Sequence, residues 1–267
     1  VRSYFATDDI PLDAEVTGSE SVERVIREQI RLRGFDREWV TGTLARPAGI
    51  EKPPVVILLH GLTQSKAQWW RDEGAYSFPS SHRRVLVENG IAVLALDARN
   101  HGERMEPKDF KSPYDYVKFQ YFRATRKMVA ETALDVRRAI DYLETRSDVD
   151  VSRLGVAGFS LGAYIGWIAT AVDERIDRSL LMALPILPAA KEGRQNFAEP
   201  EQFLEGYENR SVLLVGATKD TFYTTEQLNS LFERIPTDGK EIVWYDSSHD
   251  LPKSSAVVSK RYFVGKL

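Results

Sequence analysis

The stretch Gly158-Phe159-Ser160-Leu161-Gly162 sets a single hydroxyl in an otherwise apolar run, "RLGVAGFSLGAYIGWIATAV" at 153–172, with a glycine two positions to either side. Glycine carries no Cβ, so it permits sharp bends and close backbone approach. A strand turning straight into a helix here would hold Ser160 out at the apex, above the C-terminal edge of a sheet. The unpaired N–H groups of the helix start would then point at whatever the hydroxyl carries. This is the G-x-S-x-G spacing of a nucleophile elbow. The chemistry it suits is attack of a hydroxyl on a carbonyl carbon, through a covalent intermediate.

A serine hydroxyl needs a base, and the base needs an orienting acid. The chain has four histidines, His60, His82, His101 and His249. In strand–turn–helix sites of this kind the order along the chain is serine, acid, histidine. Only His249, in "YDSSHDLP", follows Ser160. The acid should close another strand between them, and "SVLLVGATKD" delivers Asp220. Asp246 is the fallback, although it is nearly adjacent to His249; Asp238 lies toward the wrong edge of the sheet. Asp220 also reads as the N-cap of the helix "TTEQLNSLFERI", a role compatible with the first. The oxyanion that forms during attack needs N–H donors. The residue after the nucleophile, Leu161, supplies one, and Leu62 in "VVILLHGLTQS" the other, with His60 bracing that turn. Trp69, Trp70 and Tyr76 follow this loop, and Phe159 and Tyr164 flank the elbow. Trp69, Trp70, Tyr76 and Phe159 are the candidate substrate pocket, with Phe159 equally readable as core.

Elements that must position these residues are visible in the hydropathy pattern. "VVILL" (55–59), "IAVLAL" (91–96), "LGVA" (154–157), "SLLMAL" (179–184), "SVLLVG" (211–216) and "EIVWY" (241–245) read as strands. They are almost continuously apolar, as strands covered on both faces are. Helical patterns lie between and after them at 80–89, 124–146, 161–172, 224–235 and 254–264. The second is clearest: Val129, Ala133, Val136, Ile140 and Leu143 recur at steps of three and four. This alternation predicts an α/β fold built on a mostly parallel sheet with helices on both faces. In the first 50 residues, "VERVIREQIRL" and "REWVTGTLARP" predict two antiparallel strands leading into the sheet. The whole of 1–267 reads as one domain, with insertions at 103–122 and 185–208 that are either lids and pocket walls or surface excursions.

Composition narrows the function classes. The 267 residues are 43% hydrophobic and 28% charged, with a net charge of −3 and no cysteine. The balance disfavours nucleic acid and anionic membrane surfaces. The lack of cysteine removes disulfides, thiolate metal sites and a cysteine nucleophile. No apolar run approaches the roughly 20 residues that span a bilayer. No signal peptide is visible, which with the missing cysteines favours a cytoplasmic address, although a chain opening on Val1 leaves room for trimming. Nothing suggests a metal or an organic cofactor, and the oligomeric state is left open.

The segments "LLHG", "LDARNHGER", "GVAGFSLG", "LLVGATKD" and "SSHD" occur here in the order found in the α/β-hydrolase superfamily, and the resemblance covers roughly 40–255. "AIDYLETRSDVDVSRLGVAGFSLGAY" resembles the branch of dienelactone hydrolases and acetyl-xylan-esterase-like proteins. The resemblance implies the α/β-hydrolase fold, Ser160 as nucleophile, His249 as base, Asp220 as orienting acid, and backbone oxyanion donors at Leu62 and Leu161. It implies a serine carboxylic ester hydrolase for small or short-acyl esters, working without a cofactor on a small-molecule ester substrate. A thioesterase, acyltransferase or small-peptide hydrolase would use the same residues, and a non-catalytic ligand-binding protein is the remaining class. The chain departs from dienelactone hydrolases proper, which carry cysteine where Ser160 stands, and from dehalogenases and epoxide hydrolases, which carry aspartate there. It has Asn100 where many relatives have glycine. Asp97, Arg99 and His101 are expected to scaffold their loop.

Overall fold

The computed structural model describes residues 2–5, 10–105, 113–119, 121–186 and 199–267. The leading strands are β1 (Glu15–Val22), β2 (Val25–Arg33) and β3 (Trp39–Pro47), followed by β4 (Pro54–Leu59), α1 (Pro79–Glu88) and β5 (Ala92–Leu96). Then come α2 (Pro113–Lys118), α3 (Phe122–Glu144), β6 (Asp150–Phe159), α4 (Leu161–Val172) and β7 (Arg178–Met182). The chain closes with β8 (Ser211–Ala217), α5 (Thr225–Arg234), β9 (Lys240–Tyr245) and α6 (Val257–Phe263).

Among the described residues nine strands form one sheet, in the order β1-β2-β3-β5-β4-β6-β7-β8-β9. The first three strands and the β3–β5 pairing are antiparallel, and every pairing from β5 through β9 is parallel. The two leading strands expected from the sequence are β2 and β3; β1 is an addition. "EVTGSESV" is exposed along its whole length and has no apolar alternation to announce it. Glu23 and Arg24, both at positive φ (47° and 69°), join it to β2 in a two-residue hairpin turn. The paired charges Arg27–Glu20 and Arg31–Glu15 lie along this edge, where charge guards against further strand addition.

Successive residues on β6 show how the sheet is covered. Gly155 lies against the ring of Phe263 in α6, whereas Val156 meets Gly166 in α4. Neighbouring strand residues point to opposite faces, so α4 and α6 lie on opposite sides. Leu161 through Ala171 of α4 are all buried. α3 buries the predicted stripe, Val129, Ala133, Val136, Ile140 and Leu143 among it. The predicted helix 254–264 is split into a 3-10 turn, Lys253–Ala256, and α6. His82 is buried between the hydroxyls of Ser255 and Ser259, at 2.9 and 2.7 Å, which ties α1 to this segment.

Of the expected insertions, 106–112, 120 and 187–198 lie outside the described residues, and Phe110 with them. Tyr114, Phe119 and Tyr121 are exposed, while Tyr116 packs against the core. The 3-10 helix Pro200–Tyr207 is fixed to α4. Tyr207 stacks on Trp167 at 4.2 Å between ring centres, its hydroxyl donates to the Trp167 carbonyl at 2.9 Å, and Trp167 Nε1 donates to the Pro200 carbonyl at 3.0 Å. That part of 185–208 packs on α4.

Candidate active site

β6 ends at Phe159 and α4 begins at Leu161, so Ser160 alone makes the turn. It sits at φ 53°, ψ −115°, a conformation that costs a non-glycine residue on the order of 1–3 kcal/mol. Two bonds hold it there: its N–H donates to the Met182 carbonyl of β7 at 2.9 Å, and its carbonyl accepts from Tyr164 N at 3.0 Å. The flanking glycines make the bend sterically possible. A Cβ on Gly158 would collide with the Gly162 carbonyl, and one on Gly162 with the Leu59 carbonyl of β4. The second contact also presses the start of α4 against the loop that leaves β4.

Three strands deliver side chains to this edge of the sheet. Ser160 follows β6, Asp220 stands three residues past β8, and His249 four past β9. His249 Nε2 lies 2.8 Å from Ser160 Oγ, and His249 Nδ1 lies 2.7 Å from Asp220 Oδ2. Ser160 and His249 are each 8% exposed, and the Asp220 side chain is fully enclosed. The other Asp220 oxygen, Oδ1, accepts the Phe222 N–H at 2.8 Å. With a carboxylate at Nδ1, the imidazole carries its proton there, leaving Nε2 as the acceptor that faces the serine hydroxyl.

Of the two candidate acids, Asp220 is the one that meets His249. Asp246 points away, accepting from Thr218 Oγ1 at 3.0 Å and pairing with Lys219 at 2.9 Å on the open surface. The helix-cap reading of Asp220 is corrected: Thr224 caps α5, accepting from Gln227 N while the Gln227 side chain accepts the Thr224 N–H at 2.8 Å.

Around Leu62 the amides are mostly committed. Gly61 N–H donates to Gln68 Oε1 at 2.9 Å, Thr63 N–H to His101 Nε2 at 3.2 Å, and Gln64 N–H to the Gly61 carbonyl at 3.1 Å. Among the described residues the Leu62 and Leu161 N–H groups have no acceptor, and the Ser160 side chain does not cap α4. Two unengaged donors thus belong to the two segments that meet at the elbow. His60 braces the loop as expected: its Nε2 accepts the Ala98 N–H at 3.0 Å, so its Nδ1 carries the proton and donates to the Gly61 carbonyl at 2.8 Å. Burial holds His60 below the usual imidazole range, and pushes His101 down to about 3. Asp97 fixes the same loop region by accepting from Lys66 N (2.8 Å), Lys66 Nζ (2.6 Å) and Thr41 Oγ1 (2.8 Å).

The predicted pocket aromatics divide. The rings of Tyr76 and Phe159 lie 6.3 and 5.1 Å from the His249 ring. Phe159 is buried, with the Phe78 ring 4.9 Å away, so it belongs to the core while lying beside the imidazole. Trp69 and Trp70 do not join them. Trp69 is 0% exposed, and Trp70 lies near the Arg27 and Arg83 guanidinium groups, 6.0 and 5.8 Å from its ring. Both indoles belong to the 3-10 turn Lys66–Trp70. Phe222, unmarked by the sequence reading, is among the described residues the aromatic side chain nearest His249, at 4.6 Å between rings, and is 45% exposed. Its position two residues after the acid was the available signal. Beside the Leu62 loop opens a groove of about 430 Å³ lined by Thr63, Gln64, Ser65, Gln68, Arg71 and Met105 among others. Among the described residues no cluster of acidic and histidine side chains is arranged to hold a metal ion, and no helix is long and apolar enough to cross a membrane.

Comparison with known proteins matches this arrangement to a family. A model of the alpha/beta hydrolase fold family matches residues 54–236, which hold β4 through α5 and with them Ser160 and Asp220. The chain belongs to the alpha/beta hydrolase family. It is 28% identical over 176 residues to YtaP of Bacillus subtilis (strain 168), a match covering 63% of this chain and 56% of that protein. It is 32% identical over 99 residues to YcjY of Escherichia coli (strain K12), covering 36% of this chain and 26% of that one. The hydrolase thus spans about half the length of the first relative and about a quarter of the second. Solved structures share its fold over nearly the whole chain. A cold-adapted esterase from an Arctic intertidal metagenomic library superposes with a TM-score of 0.71 at 22% identity, covering 95% of this chain and 99% of that one. The acetyl xylan esterase from Paenibacillus sp. R4 superposes with a TM-score of 0.74 at 17% identity, covering 100% and 92%.

Proposed function

We propose that this hydrolase is a serine carboxylic ester hydrolase acting on small, short-acyl esters, with Ser160 as nucleophile, His249 as general base and acid, and Asp220 as the orienting acid. The observation that carries the reading is the unbroken hydrogen-bond series Ser160 Oγ–His249–Asp220 at the C-terminal edge of the sheet. In the first step His249 Nε2 takes the Ser160 proton as Oγ bonds to the ester carbonyl carbon. The carbonyl oxygen becomes an anion held by the N–H groups of Leu62 and Leu161. Collapse breaks the bond to the alcohol oxygen, which leaves with the proton from His249. Water then attacks the acyl-serine, deprotonated by the same imidazole, and Ser160 is regenerated. Each step draws only on side chains and backbone of this chain and on water.

The rings around the imidazole support the short-acyl reading. The rings of Tyr76, Phe159 and Phe222 lie 6.3, 5.1 and 4.6 Å from the His249 ring, apolar surface that suits a small acyl group. Two of the structural neighbours are named as esterases, one of them for acetyl xylan. A panel of p-nitrophenyl esters from acetyl to palmitoyl tests the reading. The acetyl and butyryl esters should be cleaved with kcat/KM at least about tenfold above the palmitoyl ester, since each methylene without a matching pocket forfeits up to about 0.8 kcal/mol of burial. Preference for the longest chain overturns the short-acyl assignment. Faster cleavage of a matched thioester or anilide than of the ester moves the enzyme to the thioesterase or peptide-hydrolase class.

A further inference from the structure

Resting on the ester-hydrolase reading, we infer that His101 and Gln68 are positioning residues that together single out the Leu62 amide as an oxyanion donor. Neither touches the reacting atoms. They act by occupying the amides on either side of Leu62, which leaves that one N–H unspent and fixes its direction.

On the far side of Leu62, Thr63 N–H donates to His101 Nε2 at 3.2 Å. An imidazole nitrogen that accepts from an amide must be unprotonated, so the His101 proton sits on Nδ1 and donates to the Arg99 carbonyl at 2.8 Å. His101 is 1% exposed. Its burial disfavours the charged form, so the accepting lone pair is present throughout the neutral range. Arg99, the anchor of this contact, is itself held by two bonds of 2.7 Å to Asp36 and a third of 3.1 Å to Asp135. The imidazole is therefore a rigid acceptor on a rigid base. Thr63 in turn is held at φ 63°, a conformation threonine rarely adopts unless its surroundings impose it.

On the near side, Gly61 N–H donates to Gln68 Oε1 at 2.9 Å, and Gln68 Nε2 donates to the Tyr76 carbonyl at 3.0 Å. Gln68 is buried. Tyr76 N–H donates to Asp250 Oδ2 at 2.9 Å, and Asp250 directly follows His249. One side chain thus links the Leu62 loop to the wall residue Tyr76 and onward to the loop that carries the base. A rigid scaffold for the loop alone would require no such pattern. Here three amides in four are taken by acceptors, and the remaining one is where a donor to the oxyanion is required.

The test separates positioning from mere folding. His101→Asn keeps a donor near the Nδ1 position for the Arg99 carbonyl but has nothing at Nε2 to accept from Thr63; His101→Gln places an acceptor near Nε2. On p-nitrophenyl acetate, His101→Asn should lose about 10- to 100-fold in kcat with KM within about threefold of wild type, because a displaced oxyanion donor weakens the transition state and not substrate binding. His101→Gln should recover kcat to within about fivefold of wild type. Gln68→Met, which releases Gly61 N–H on the other side, should show the same loss confined to kcat, and it decides the matter on its own should His101→Asn fail to fold. Wild-type kcat in both His101→Asn and Gln68→Met overturns the inference. So does an equal loss in the asparagine and glutamine variants, or a loss confined to KM. Ser160→Ala in the same assay keeps the two claims apart: if it retains activity, the ester-hydrolase reading itself has failed.

Discussion

Ser160→Ala is expected to lower ester hydrolysis by about 10⁴-fold or more while the protein keeps its fold. The substitution removes the only side-chain oxygen at the apex of the β6–α4 turn, 2.8 Å from His249 Nε2. No neighbouring hydroxyl occupies that apex, because the turn consists of a single residue between strand and helix. The fold should tolerate the change. The backbone bonds that hold residue 160, to Met182 and Tyr164, do not involve the side chain. Alanine keeps the same Cβ and the same strained φ, so the strain is unchanged. What is lost is one side-chain hydrogen bond, worth about 1 kcal/mol, or a fall in Tm of about 2–4 °C for a chain of this size. Circular dichroism melting alongside a p-nitrophenyl acetate assay reads both. Near-wild-type turnover, or a collapse of the fold, would contradict this account of the elbow.

Asp220→Asn is expected to cost about 10⁴-fold in kcat, and the reason lies in the second oxygen of the carboxylate. Asp220 Oδ1 accepts the Phe222 N–H, while Oδ2 faces His249 Nδ1. In the asparagine variant the carbonyl oxygen stays with the Phe222 amide, since an NH2 group there would confront another donor. The NH2 group is then presented to His249 Nδ1. That nitrogen must become the acceptor, the imidazole proton moves to Nε2, and a donor now faces the Ser160 hydroxyl in place of a base. Asp246→Asn is the control. Asp246 lies on the surface with Thr218 and Lys219, and its replacement should leave kcat within about twofold, the usual scale for exposed polar changes. A reversal of these two effects would reassign the acid to Asp246.

What could be read from the sequence, and what could not, follows from how local each signal is. β4 through β8 were legible because strands covered on both faces are written in nearly unbroken apolar residues, and the half-buried edge strand β9 because its apolar run at 242–245 is short and β-rich. The elbow was legible because its glycines are required at fixed offsets: a Cβ on Gly158 or Gly162 has no room. Ser160, Asp220 and His249 followed from strand ends and chain order. β1 was not legible, since an edge strand exposed along its length needs no apolar alternation. Trp69 and Trp70 read as pocket candidates only from their proximity to the Leu62 loop along the chain, which does not reveal that Trp69 is fully buried and that Trp70 lies beside Arg27 and Arg83. The N-cap alternative for Asp220 stayed open in the sequence because aspartate is a favoured cap, and the Thr224–Gln227 reciprocal pair gives the cap to Thr224. His101 was expected as loop scaffold, yet its hold on Thr63, like that of Gln68 on Gly61, spans dozens of residues or a buried turn and leaves no periodic trace.

The central claim is that one imidazole primes one hydroxyl. Its most direct measurement is covalent labelling by a serine-directed fluorophosphonate, followed by intact-mass and peptide-mapping mass spectrometry. The wild-type enzyme should take up a single adduct, located on Ser160, and Asp220→Asn should react at least about 100-fold more slowly because its imidazole cannot accept the proton. Modification of a different residue, or ester hydrolysis that persists undiminished with Ser160 fully labelled, would contradict it.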